Sequence, residues 1–142
     1  MRFLCLYKPN KPEGTPPTQQ EMAAMGKLVE DGFKSGKLLA TEGCLPSSKG
    51  ARIRQTSGKY TVTDGPFTES KELVASYALF QVKSMDEAVM WTTRFLEVLG
   101  QGECELRPIF DPEDFAPGVF PPEQAAREAE WRQDMDKKLT KR

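Results

Sequence analysis

An α+β fold of the ferredoxin-like type, βαββαβ with a β-hairpin inserted between its halves and a helix appended at its C-terminus, is predicted by three observations. Two capping boxes, Thr18-Gln-Gln-Glu21 and Ser84-Met-Asp-Glu87, each open a run of apolar residues at helical spacing. Runs rich in strand-forming residues flank both helices, at 2–7 and 38–42 around the first and at 73–82 and 103–109 around the second. Between the halves, 51–55 and 59–63 flank Ser57-Gly58, a pair suited to a tight reversal. The order strand, helix, strand, hairpin, strand, helix, strand is the split βαβ pattern.

Residues 2–7 form the first strand, and the loop from Lys8 to Pro17 carries Pro9, Pro12, Pro16 and Pro17. Met22, Met25, Val29 and Phe33 mark the expected buried stripe of the first helix, which Ser35-Gly36 closes. A short strand at 38–42 leads into Gly43-Cys-Leu-Pro-Ser-Ser-Lys-Gly50, a loop of turn formers. Nearly every residue from Leu73 to Val82 is apolar, which predicts a central strand covered on both faces. Met85, Ala88, Val89, Thr92, Phe95, Leu96 and Leu99 give the second helix one face, ending at Gly100. In the last strand Cys104, Leu106 and Pro108 share a side, and the proline suggests an edge or a strand end. The core is expected to close near residue 110, leaving 111–142 as an acidic, prolyl linker and a helical tail. Lys137, Lys138, Lys141 and Arg142 suit the negative end of that tail helix.

The chain has 142 residues, enough for one core, with 38% hydrophobic and 29% charged residues. Its 20 basic and 21 acidic residues balance to a net charge of −1, which argues against nucleic acid or an anionic membrane as partner. No apolar run is long enough for a membrane span. Lys8-Pro9 follows the first apolar run too soon for a signal peptide, so a cytoplasmic protein is expected. Cys5, Cys44 and Cys104 lack metal-ligand or disulfide-framework spacing, and reduced thiols are expected. Histidine is absent altogether, which removes the usual general base and the commonest metal ligand. No metal and no cofactor are implied. Because 3–7 and 73–82 are apolar on both sides, the sheet face away from the helices needs a cover, most simply a second copy of the chain. A homodimer with sheets face to face is expected.

Several segments together carry a family resemblance: Phe3-Leu-Cys-Leu-Tyr7, Gly36 to Ser48 with its Leu45-Pro-Ser-Ser, Val62-Thr-Asp-Gly-Pro-Phe-Thr-Glu-Ser-Lys-Glu72, and Glu105-Leu-Arg-Pro108. On these residues the chain resembles the DGPF-type proteins of the YCII-related family. The resemblance implies a dimeric α+β barrel. It also implies kinship with small enzymes acting on aromatic or chlorinated metabolites, and a genomic context beside extracytoplasmic-function sigma factors. The His-Asp pair ascribed to some YCII-like members has no counterpart here.

Asp64 has two readings. As the residue before Gly65-Pro66 it suits a turn cap, bonding to N–H groups two or three residues on. With Glu69 it forms a carboxylate pair able to serve as base and acid at a cavity mouth. Phe67 is either a plug under the turn or a stacking platform. Arg52 and Arg54 alternate onto one hairpin face, where they are either solvated or poised for a carboxylate or phosphate. Tyr77, on the predicted central strand, is a core or interface residue or a ligand-pocket aromatic. Cys5 and Cys104 fall on strands that the fold makes neighbours, as buried inert thiols or as a reactive pair. Three functional readings follow: a cofactor-independent small-molecule enzyme or binder, a regulatory module engaging a sigma factor, and a dimer whose interior is filled by its own side chains.

Overall fold

The computed structural model describes residues 1–140; Lys141 and Arg142, expected at the end of the tail helix, lie outside the described residues. Six strands and three helices run in the order β1 (Arg2–Pro9), α1 (Gln19–Lys34), β2 (Leu38–Gly43), β3 (Ala51–Thr56), β4 (Lys59–Asp64), β5 (Ser76–Gln81), α2 (Met85–Leu99), β6 (Gly102–Pro108) and α3 (Pro122–Thr140). The main sheet is antiparallel throughout, in the spatial order β2-β5-β1-β6, while β3 and β4 form a separate ribbon. This is the ferredoxin-like arrangement with its hairpin insertion and C-terminal helix.

The register places the core. Leu38, Phe80, Phe3 and Pro108 lie directly across from one another in one row over the four strands. Phe3, Phe80 and Leu38 are the largest fully buried side chains, and Phe80 meets Phe95 of α2 edge to face, with ring centroids 5.7 Å apart. Cys5, Ala78, Val82, Leu28, Ala88 and Trp91 complete the core between the sheet and the two helices.

Both helices start where the capping boxes predict. The Thr18 hydroxyl accepts from the Glu21 N–H at 3.1 Å, and the Ser84 hydroxyl accepts from the Glu87 N–H at 3.2 Å. Their predicted faces are borne out in part: Met25 and Val29 of α1 pack against the core, and Ala88, Thr92 and Phe95 of α2 are buried. Met22 (60% exposed) and Phe33 (46%) face outward, and α1 instead buries Leu28 and Gly32. The reason is closeness: a Cβ on Gly32 would lie 2.7 Å from the Leu38 Cβ, so the helix is seated on its glycine, which carries no hydrophobic signal. In α2 Trp91 joins the core and Met85 and Val89 do not, with the Arg94 guanidinium 4.5 Å from the Trp91 ring.

The hairpin turns where expected, Ser57 and Gly58 both having positive φ (51° and 78°), as a type I′ turn requires. Every residue of β3 and β4 is exposed. One face carries the cross-strand pairs Ile53–Val62 and Gln55–Tyr60, the other Arg52–Thr63 and Arg54–Thr61.

The predicted strand over 73–82 is shorter, since β5 begins at Ser76. Leu73, Val74 and Ala75 run irregularly into it, anchored by the Ala75 N–H donating to the Tyr7 carbonyl and the Ala75 carbonyl accepting from the Cys44 N–H. On the sheet face away from α1 and α2, Leu4, Leu6, Tyr77 and Leu79 are half-buried. The tail helix lies against β2 of its own chain, tied down by Arg132, which donates to the Asp111 carboxylate at 3.1 Å and to the Phe110 carbonyl at 3.0 Å. The linker is ordered by a stack of Phe110, Phe115 and Phe120 with successive centroids 5.0 and 5.2 Å apart.

Candidate functional site

The turn after β4 is held by a serine from another loop. Gly65-Pro66 is a cis peptide, and the Gly65 N–H donates to the Gly50 carbonyl. The Phe67 N–H donates to the Ser47 hydroxyl at 3.1 Å. Ser47 in turn donates its hydroxyl to Glu13 Oε2 at 2.6 Å and its backbone N–H to Glu13 Oε1 at 2.8 Å. One carboxylate and one hydroxyl thus tie together the loop after β1, the loop after β2 and the turn after β4. Gly65 is demanded by space, because a Cβ there would run into the Ser47 carbonyl. The Leu45-Pro-Ser-Ser and Asp64-Gly-Pro-Phe segments are two halves of one contact.

Asp64 is exposed, and its carboxylate has no hydrogen bond among the described residues. Its reading as the turn's cap is therefore corrected: Ser47 makes the bond to the turn amide. Glu69 is also exposed, in the segment leading to the short 3₁₀ turn at Ser70–Glu72. Arg52 lies over the Phe67 ring, 3.9 Å from its centroid, so these two of the expected ligand residues are brought together. Arg54 shares the Arg52 face of the ribbon and is exposed. Tyr77 sits on the opposite sheet face from the helices, across from Leu6 and Glu42.

A concavity lies where β1 ends and β5 begins, and none of those six residues lines it. It is an open-sided chamber of about 530 Å³ between the proline-rich loop 9–17, the segment 43–46 and the segment 73–76, with Tyr7, Glu21 and Leu99 on its walls. That size suits a small organic ligand. Its lining is mostly prolines and aliphatic side chains, and its polar groups are few: the Tyr7 phenol, the Cys44 thiol, and the side chains of Lys11, Glu13, Thr15, Glu21 and Ser76. The Tyr7 hydroxyl donates to the Gln101 carbonyl at 2.9 Å. Burial, aided by Cys104 and the Glu21 carboxylate, raises the Tyr7 pKa, so the phenol stays neutral. A crevice of about 360 Å³ adjoins the chamber, sharing Pro9, Lys11, Pro12, Glu13 and Leu73 with it and adding Asn10 and Lys71.

Of the three thiols, Cys5 is buried and Cys44 is exposed on the chamber wall. The neighbouring Cys5 thiol, together with burial, holds the Cys104 thiol well above its usual pKa. The Thr92 hydroxyl adds a long contact of 3.9 Å to the Cys5 sulfur. Among the described residues no group of three or more histidine, cysteine or acidic side chains could hold a metal ion. No helix there is long and apolar enough to cross a membrane.

The chamber escaped the sequence reading because its walls are made of segments with ordinary local explanations. Four prolines between 8 and 17 read as a connection, and Leu73-Val-Ala75 read as strand. The available signal was an apolar run too long for the strand it leads into.

A family-model comparison bears out the resemblance at the level of the YCII-related family. An uncharacterized protein, R00369, of Rhizobium meliloti (strain 1021) is 32% identical over 88 residues, covering 61% of this chain and 68% of that protein. Among solved structures, 5-chloro-2-hydroxyhydroquinone dehydrochlorinase (TftG) from Burkholderia phenoliruptrix AC1100, in complex with 2,5-dihydroxybenzoquinone, is 14% identical, with a TM-score of 0.36 over 82% of this chain and 100% of that one. The family model of the YCII-related domain matches residues 1–112, all six strands and both core helices, and the chain belongs to that family.

Proposed function

We propose that the chain is a cofactor-independent small-molecule-binding protein whose ligand occupies the chamber between the proline-rich loop and segments 43–46 and 73–76. The observation that carries this reading is the chamber's construction: about 530 Å³, largely apolar, with a few convergent polar groups. One of its walls is fixed to the DGPF turn through Glu13 and Ser47. If the protein is also an enzyme, Glu21 and the Cys44 thiol are the chamber groups able to move a proton or attack a ligand. Asp64 and Glu69 then act from outside the chamber, on the surface of the turn.

Thermal-shift screening against small aromatic and aliphatic compounds tests this. A ligand at about a hundred times its Kd is expected to stabilise the protein by about 2.7 kcal/mol. Ala75→Phe, which fills the chamber from its wall, is expected to abolish that stabilisation, whereas Asp64→Asn and Glu69→Gln leave it in place. A panel in which nothing stabilises the wild type, or in which Ala75→Phe responds unchanged, refutes the chamber as the site.

We further propose that the protein works as a homodimer. The ribbon exposes Ile53 (67%), Tyr60 (70%) and Val62 (64%) on one face, and an unsupported two-stranded hairpin is marginal in water. A second copy covering it supplies what the single chain lacks. Sedimentation equilibrium is expected to give a mass near twice 15.9 kDa, and a single-subunit mass would remove the dimer. The regulatory reading rests on Trp131 and Met135, exposed one turn apart on α3. A heavier complex on adding an extracytoplasmic-function sigma factor in the same sedimentation experiment would favour it.

A further inference from the structure

The crevice adjoining the chamber, taken as its mouth, has a charge pattern that the chamber itself lacks. Lys11 and Lys71 both line it, contributed by the loop after β1 and by the 3₁₀ turn before β5. Neither makes an ion pair with a described residue. Glu13, the acidic group at the mouth, is already committed to two donors of Ser47. The Glu13 carboxylate keeps its charge when it accepts from these neutral donors, so two ammonium groups and one carboxylate leave a net charge of about +1 there, beside an apolar lining of Pro9, Pro12 and Leu73. Glu21 lines the chamber and not the mouth, so its carboxylate repels a second negative charge on whatever is bound inside.

Resting on the chamber reading, we propose that the site selects organic monocarboxylates: the apolar body enters the chamber and the carboxylate stays at the mouth between Lys11 and Lys71. Lysine ammoniums serve here as point charges with rotatable donors, so recognition depends on the ligand's charge more than on a fixed bidentate geometry. Neutral isosteres lose the mouth interaction, and dicarboxylates meet Glu21.

Cys44 is a built-in reporter, being exposed on the chamber wall while Cys5 is buried and Cys104 is held as a neutral thiol. Iodoacetate and iodoacetamide alkylate it by the same step. The thiol first loses its proton to solvent, then the sulfur–carbon bond forms as the carbon–iodine bond breaks and iodide leaves. The reagents differ in one carboxylate against one neutral amide, and the ratio of their rate constants cancels any change in the thiolate fraction. That ratio is expected to fall about tenfold in the Lys11→Gln/Lys71→Gln variant at low salt. The difference closes near 1 M salt, where the Debye length is about 3 Å. An unchanged ratio overturns the inference.

A second arm needs no variant. Phenylacetate is expected to protect Cys44 of the wild type from iodoacetamide at concentrations about tenfold lower than phenylacetamide, a difference of about 1.4 kcal/mol. Equal protection by both leaves the chamber as a small-molecule site and overturns its anion selectivity. Protection by neither, with no stabilising compound in the thermal screen, overturns the chamber reading together with this one.

Discussion

Phe80→Ala is expected to lower the stability of the folded chain by about 3–5 kcal/mol, the cost of removing a fully buried aromatic ring from a packed core. Phe80 is 0% exposed and sits directly across from both Phe3 and Leu38, the other two largest fully buried side chains. It also meets α2, edge to face with Phe95. Truncation therefore opens a void bordered by three strands and a helix, and no neighbour can close it without leaving its own contacts. Urea unfolding is the measurement, with a falling midpoint at constant slope as the expected form. A loss below about 1 kcal/mol would mean that the row Leu38–Phe80–Phe3 is not the centre of the core.

What could be read in the sequence divides along the range of the interaction involved. The helix starts at Thr18 and Ser84 and the reversal at Ser57-Gly58 are fixed by bonds within a few residues, and each stands where the pattern predicted it. The strand order followed from the alternation of elements, because short right-handed connections leave few topologies for six such pieces. Positions decided by distant partners were less legible. Hydrophobic spacing pointed α1 inward along Met22, Met25, Val29 and Phe33; Met25 and Val29 do pack against the core, but Met22 and Phe33 face outward, and the helix rests on Gly32, where the approach of Leu38 admits no side chain. The candidate site is a stronger case. Glu13, Ser47 and Phe67 are separated by 34 and 20 residues, and no local pattern announces that a carboxylate in a proline-rich loop will hold a serine that holds a turn. The DGPF segment is conspicuous in sequence, but the residues that give it a partner are not.

Gly65→Ala follows from that contact and is expected to destabilise the protein by about 2–4 kcal/mol, within the range of substitutions that force backbone to move. A Cβ at residue 65 meets the Ser47 carbonyl and approaches the Ser48 amide at 3.2 Å; both are backbone, with no flexible end to swing aside. Relief requires the 46–50 loop or the turn to shift, and a shift lengthens the Phe67–Ser47 bond and loosens the hold of Ser47 on Glu13. Asp64→Ala makes the sharper comparison. Asp64 is exposed without a hydrogen-bond partner among the described residues, so its removal is expected to change stability by less than about 0.5 kcal/mol. Thermal unfolding of the two variants separates the readings of this motif: a large loss for Gly65→Ala beside a small one for Asp64→Ala assigns the motif to close backbone packing, whereas the reverse would return the turn to its aspartate. Because Pro46, next to Ser47, and Glu13 both line the chamber, Gly65→Ala is also expected to weaken ligand protection of Cys44 without touching any residue the ligand meets.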